Sequence, residues 1–333
     1  MAFVTGAEGN GEPRERPSLE VDLGAGVRLP TPVVAASGCF NTGREMRDLV
    51  DLHRVGAIVT KSVTLNPRRG LPVPRMAETS SGMLNAIGLQ NVGVEEFIAK
   101  EAEFIETSGV PIVISIAGRS VDEYIHVMLA VRDLPGVVAV EANISCPNVD
   151  RRNQVFACYP DQAADVISAV SRFTATPVFA KLTADVTNLV EVAQACVEAG
   201  AHGLSLINTL LGMAIDVDTF RPKLGAITGG LSGPAIKPVA IRCVYQVAQA
   251  LGPEVPIMGM GGITNARDAV EFLLAGAWAV QVGTANFYNP DATVQIADGI
   301  AAFLAERGLS SPADLRGRME VGRDVPEPAY RSG

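Results

Sequence analysis

Short apolar runs recur along the chain, and between them lie longer stretches in which apolar residues return every three or four positions. The short runs read as buried strands and the longer stretches as helices packed by one face. The expected strands are 33–36, 57–61, 111–116, 137–143, 177–182, 203–207, 256–260 and 278–282. The expected helices are 44–54, 94–107, 121–132, 161–173, 188–199, 234–251, 265–275 and 292–307. Strand–helix alternation implies a parallel sheet, because parallel neighbours need a crossover of helical length. Eight such units predict an α/β (β/α)8 TIM barrel. An open doubly wound sheet is the alternative. Ahead of the first strand, Gly24, Gly26, Pro30 and Pro32 break residues 19–34 into a small hairpin. Long loops follow strands two and six, at residues 62–93 and 208–233. Loops this long at the C-terminal ends of barrel strands point to a binding site.

Composition narrows the class. The chain has 333 residues, of which 48% are hydrophobic and 19% charged, which suits one large buried core. The division expected is a disordered tail over 1–17, a barrel over 18–310 and a C-terminal extension over 311–333. A net charge of −9 argues against a nucleic-acid surface. No apolar run is long enough for a membrane helix, and the first residues lack a signal peptide's apolar segment. Cys39, Cys146, Cys158, Cys196 and Cys243 are scattered without a C-x-x-C pair. That pattern fits a reducing cytoplasm and offers no evident metal or iron–sulfur site in this chain.

Candidate chemistry gathers at the strand ends. Gly259–Met260–Gly261–Gly262 closes strand seven and Gly283–Thr284 closes strand eight. Two glycine turns on adjacent final strands favour a phosphate cradle over a pair of plain tight turns. Lys61 and Lys181 end strands two and five. A lysine in an apolar strand needs an anion or an electron-rich ligand unless it merely reaches solvent at the strand end. Asn85, Gln90, Asn91, Asn143 and Asn208 offer amides suited to a planar ligand with alternating carbonyls and N–H groups, and each alone would read as a loop or cap residue. Asn143 and Ser145 share one face of strand four, and Cys146 follows with Pro147 behind it. An unperturbed thiol near ~8.5 is close enough to neutrality for a general base.

Several stretches together resemble the class 1 dihydroorotate dehydrogenases, most closely the class 1B catalytic subunit. They are Thr60–Leu65, Pro67–Gly70, Asn85–Asn91, Asn143–Asn148, Leu206–Thr209, Thr228–Gly233 and Gly259–Gly262. The resemblance implies FMN at the C-terminal end of the barrel. It makes Cys146 the base that takes a proton from C5 of dihydroorotate, with hydride passing from C6 to flavin N5. Ser37, Lys61, Ser62, Ser115, Asn143, Lys181, Ile207, Gly233, Gly261, Gly262, Gly283 and Thr284 would contact FMN. Lys61, Asn85, Ala86, Ile87, Gly88, Leu89, Asn143, Asn208 and Thr209 would surround the substrate.

The chain departs from the family pattern in places. Ser115 stands where the family usually has Asn, and Asp150–Asn153 replaces a Lys and a Gly-Gly pair after the thiol. Val92 and Ala184 replace prolines. The altered loop keeps open a specialised paralogue acting on another dihydropyrimidine-like ring. A flavin- or orotate-binding protein without turnover is a second alternative. The resemblance further implies a homodimer and a partner subunit carrying FAD and a [2Fe–2S] cluster on the way to NAD, with fumarate as the alternative acceptor.

Overall fold

The computed structural model describes residues 16–145 and 155–322. Its centre is a ring of strands: β1 (Val33–Ala35), β2 (Ile58–Val59), β3 (Ile112–Ile116), β4 (Val137–Asn143), β5 (Val178–Leu182), β6 (Gly203–Leu206), β7 (Ile257–Met260) and β8 (Ala279–Val282). They pair in parallel in sequence order, and the ring closes where Val280 and Gln281 of β8 lie opposite Val33 and Val34 of β1. The closed barrel excludes the open doubly wound sheet.

Helices wrap the ring: α1 (Val94–Thr107), α2 (Val121–Val131), α3 (Pro160–Ser171), α4 (Leu189–Glu198), α5 (Lys237–Leu251), α6 (Ala266–Ala275), α7 (Ala285–Tyr288) and α8 (Ala292–Arg307). Local chemistry sets several of their ends. Ser120, Asn188 and Asn265 each accept a hydrogen bond from a backbone N–H in the first turn, satisfying donors that the helix cannot. Gly276 and Gly308 close α6 and α8 in the left-handed conformation. The main apolar core lies between the ring and the helices, filled by Ile58, Ile112, Ile114, Val140, Leu204 and Val280 among others.

A second apolar layer fills the N-terminal end of the ring. The hairpin Val21–Asp22 with Arg28–Leu29 plugs this end, bringing Leu23, Val27 and Leu29 against Val34, Val59, Val113, Phe179 and Met258. His202 pins the plug: its Nε2 donates to Leu23 O over 2.7 Å, and its ring packs edge-on against Phe179. At the other end of the chain, Gly317 and Met319 donate to the Leu273 and Leu274 carbonyls, and Arg316 stacks on Trp278. That segment therefore packs back onto the barrel.

One expectation needs correction. Residues 44–54 do not form an α-helix but a run of turns ending in a 3-10 turn at Leu52–Arg54. Tertiary contacts outweigh the local pattern there: Arg44 bonds Glu101 and the Lys100 carbonyl and lies over Phe104, while the Asp51 side chain caps the 3-10 turn. A short helix has little intrinsic stability to oppose such contacts.

The long loops after β2 and β6 also have structure of their own. Met76–Thr79, Gly82–Asn85, Thr228–Ser232 and Leu210–Met213 join in one four-stranded antiparallel sheet, so the two insertions fold together.

Candidate active site

Asn143, the last residue of β4, has every polar group of its side chain engaged. Its Nδ2 donates to Ser62 Oγ over 3.0 Å, and its Oδ1 accepts from Ser145 Oγ over 2.9 Å. Ser62 Oγ in turn lies 2.9 Å from Ser115 Oγ, and the Tyr124 hydroxyl donates to the Asn143 carbonyl over 2.8 Å. All of these groups are buried. The amide is therefore fixed in one orientation, since flipping it would break both bonds. Ser115, where the family pattern has Asn, is the end of this chain of bonds.

Directly beside Asn143 across the ladder is Lys181 of β5. Only 5% of Lys181 is exposed, so its ammonium needs a counter-charge. Glu141, two residues before Asn143 on the same face, supplies it with Oε1 3.4 Å from Lys181 Nζ. Gln281 of β8 donates from Nε2 to the other Glu141 oxygen over 3.0 Å and lies 3.2 Å from Ser205 Oγ. A polar layer thus crosses the barrel between the site above and the apolar plug below. Cys39, after β1, shares this environment. Burial pushes its thiol up to about 11, against the opposing pull of the Lys181 and Lys61 charges. Ser37 ties the ends of β1 and β2 together by donating to the Thr60 carbonyl over 2.7 Å.

The glycine turn of β7 leaves no room for side chains. Gly261 and Gly262 have φ of 132° and 72°, and a Cβ on Gly262 would stand 2.7 Å from the Gly233 carbonyl oxygen. Glycine is required there for both reasons. The turn is braced by Asp268, whose carboxylate accepts from the Thr264 N–H and hydroxyl and from Lys237 Nζ at 2.6 Å. Burial alone would raise the Asp268 carboxyl, but the bonds from Lys237 and Thr264 outweigh it and hold it below the usual carboxylate range. Thr284, at the start of α7, donates to Ser232 Oγ over 2.8 Å, joining the β8 turn to the inserted sheet.

That sheet carries the remaining residues. Asn85 donates to the Gly230 carbonyl at 3.3 Å, and a Cβ on Gly230 would collide with the Thr209 hydroxyl. Asn208 reaches the Ser145 carbonyl at 3.5 Å, a weak link between the inserted sheet and the segment after β4. Gly88 and Leu89 are both left-handed, at φ of 74° and 54°. For Leu89 this costs on the order of 1–3 kcal/mol, a strain often found where a loop is shaped for a ligand.

Two members of the expected amide ring have other duties. Asn91 accepts from Thr64 and Gly93 and donates to the Leu89 carbonyl, so it organises the loop. Gln90 accepts from Arg75, which also bonds the Leu71 and Arg69 carbonyls. The structure thus unites Ser62, Ser115, Asn143 and Lys181 at the strand ends, and Asn85, Thr209 and Gly233 around the inserted sheet. Cys146 and the loop 150–153 lie outside the described residues. Sequence reading missed Glu141, Ser205, Gln281 and Asp268 as parts of the site's support.

A family model described as dihydroorotate dehydrogenase matches residues 18–304. The chain is 50% identical over 306 residues, 92% of its length and 99% of the relative's, to the protein of Geotalea daltonii named dihydroorotate dehydrogenase B (NAD(+)), catalytic subunit. It is similar at 50% over 304 residues to the same-named protein of Geotalea uraniireducens, covering 91% of this chain and 99% of that one. With the Geobacter sulfurreducens protein of that name it shares 48% over 307 residues, 92% of this chain and the whole of the other.

Proposed function

The chain belongs to the dihydroorotate dehydrogenase family, matching its class 1B catalytic subunits, and from that premise we propose that it oxidises (S)-dihydroorotate to orotate in pyrimidine biosynthesis, using FMN. The observation that carries this reading is the fixed Asn143 amide, bonded at both polar atoms and flanked by the buried cation of Lys181. Such a site presents a planar ligand with a set hydrogen-bonding edge beside a positive charge.

The residues present fit FMN. The Gly261–Gly262 turn must be glycine, because a Cβ there would collide with Ala240 and with the Gly233 carbonyl, and its bare backbone N–H groups, together with the Gly283–Thr284 turn, would hold the phosphate. Lys61 and Lys181 supply positive charge for the ring, and Ser37, Ser62, Ser115, Ile207 and Gly233 line its surroundings. When bound, FMN would supply the hydride acceptor for this oxidation.

This chain's own residues do the rest. Cys146 takes the proton from C5; it directly follows Ser145, whose hydroxyl is held by Asn143. A positioned base of this kind contributes roughly 10²–10⁴-fold. Asn85, Asn143, Asn208 and Thr209 bind and orient the substrate ring, with Lys61 and the turn Ala86–Ile87–Gly88–Leu89 closing around it. The tight backbone at Gly230 keeps the Thr209 side chain in place.

A partner subunit bearing FAD and a [2Fe–2S] cluster would carry the electrons on to NAD, with fumarate as the alternative acceptor. The partner reading is supported by the relatives' name, "catalytic subunit". A homodimer is supported by the exposed apolar side chains of Leu211, Met213, Ile215 and Phe220 on the inserted segment, and sedimentation tests it by the mass of two chains. Among the described residues no helix is long and apolar enough to cross a membrane.

The test is anaerobic mixing of the purified yellow protein with dihydroorotate. The flavin bleaches, and NAD turns over only when the partner subunit is added. Flavin that stays oxidised under excess dihydroorotate would overturn the assignment.

A further inference from the structure

Glu141 is fully buried, and so are Ser205 and Gln281. The apolar plug beneath them, built from Leu23, Val27, Leu29 and Phe179, closes the route to water from that end. A charge in such a place is costly, and a buried ion pair gains little net stability against well-packed apolar residues. Among the described residues Glu141 Oε1 and Gln281 Oε1 also lack hydrogen-bond partners. An apolar layer would serve the fold at least as well, so the layer calls for another explanation.

Its geometry supplies one. Lys181 Nζ and Glu141 Oε1 make an ion pair at 3.4 Å without a hydrogen bond, so Glu141 anchors the ammonium by charge and takes up none of its N–H donors. Gln281 Nε2 spreads part of the carboxylate's charge over a neutral amide that also reaches Ser205. The buried charge opposite Lys181 is therefore graded: Glu141 weakens the cation's field, and Gln281 weakens Glu141.

We propose that Glu141 is a positioning residue that, through Lys181, sets the reduction potential of the bound flavin, with Gln281 as its moderator. Two-electron reduction places negative charge on the flavin ring, and a cation beside the ring favours the reduced form. Glu141 opposes that effect and keeps the flavin reducing enough to pass electrons onward. The proposal rests on the FMN reading above.

The experiment measures the midpoint potential of the purified FMN-loaded protein by equilibration with redox dyes. Glu141→Gln keeps the shape and removes the charge. It shifts the reduced-to-oxidised ratio at fixed potential at least about tenfold toward reduced, about 30 mV for a two-electron couple. Gln281→Met shifts the ratio the opposite way, because Glu141 then loses its amide donor. In a Lys181→Met background Glu141→Gln shifts the ratio much less than in the wild type, since the cation through which Glu141 acts is gone.

A potential unchanged in both single variants, with FMN retained, overturns the proposal and leaves the FMN reading standing. Shifts of the same sign in the two single variants overturn it too. Should Glu141→Gln fail to fold, the sign of the Gln281→Met shift decides. A wild-type protein that binds no FMN would instead overturn the reading beneath.

Discussion

The two ends of the barrel are made from the same strands and obey opposite rules. At the N-terminal end the inward side chains are Val34, Val59, Val113, Phe179 and Met258, sealed by the hairpin residues Leu23, Val27 and Leu29. A few residues further along the same strands stand Lys61, Ser115, Asn143 and Lys181. The strand β4 shows the change within five residues: Ala139 belongs to the plugged layer, Glu141 to the polar layer and Asn143 to the site. Parallel strands make this division natural, because all their C-terminal ends and following loops meet at one face. One end answers for stability and the other for chemistry, and the polar layer between them is where the two requirements meet.

The sharpest way to separate the ends is to damage the plug. Leu23→Ala removes buried methyl groups where His202 holds the hairpin, and should cost about 2–5 kcal/mol in urea unfolding. The flavin spectrum and the reduction rate of the folded fraction should stay as they were. A plug variant that changed the rate as strongly as the stability would break the comparison.

Damage to the phosphate turn should reach the flavin as well. In Gly262→Ala the new Cβ meets the Gly233 carbonyl and the backbone is left in a conformation unfavourable for alanine. Overpacking of this kind costs about 1–3 kcal/mol. It should appear as that loss in the stability of the FMN-free protein and, because the turn is pushed aside, as FMN affinity weakened roughly tenfold or more in a fluorescence-quenching titration.

Asp268 tests the brace behind that turn through pH. Its folded-state carboxyl lies below the unfolded value, so its contribution is present above about pH 3.8 and is lost as pH falls through the lower folded value. Charged hydrogen bonds of this sort are worth about 1.5–3 kcal/mol each, partly offset here by burial. Asp268→Asn should be less stable than wild type at neutral pH, and the gap should narrow below pH 4 in acid-unfolding curves. A gap that widened in acid would contradict the assigned role.

The smallest expected effect concerns Cys39. Its thiol is raised to about 11, so the folded state keeps that proton longer than the unfolded chain does. The resulting stability is complete below about pH 9 and fades as pH rises toward 11. Iodoacetamide labelling of Cys39, followed by mass spectrometry, should be slow at pH 8 and rise about tenfold per pH unit above it. Fast labelling at pH 8 would show a thiolate beside Lys61 and Lys181.

The same contrast explains what the sequence made legible. The barrel strands could be read because each is buried on both sides and appears as a nearly unbroken apolar run. The inserted sheet could not. Its strands are short, and Thr228–Ser232 carries adjacent glycines with no clear alternation. Residues 44–54 had a helical pattern, but contacts with Glu101, Lys100 and Phe104 decide their path. In the site, Asn143 and Lys181 stood out as polar residues closing apolar strands. Glu141 could have been singled out for the same reason, as an acid inside a buried run. Its partner Gln281 lies 140 residues away, and only the closed barrel brings them together. Gln90 and Asn91 looked like ligand amides because sequence shows their chemistry and not their neighbours.

The central claim, that the thiol after β4 removes a proton while flavin receives the hydride, has one direct measurement. It is the rate at which dihydroorotate bleaches the flavin in anaerobic stopped flow, compared between wild type and Cys146→Ala. The account predicts that the variant keeps its FMN and its affinity for orotate and loses roughly 10²–10⁴-fold in bleaching rate. A variant that retained FMN and bleached at the wild-type rate would contradict it.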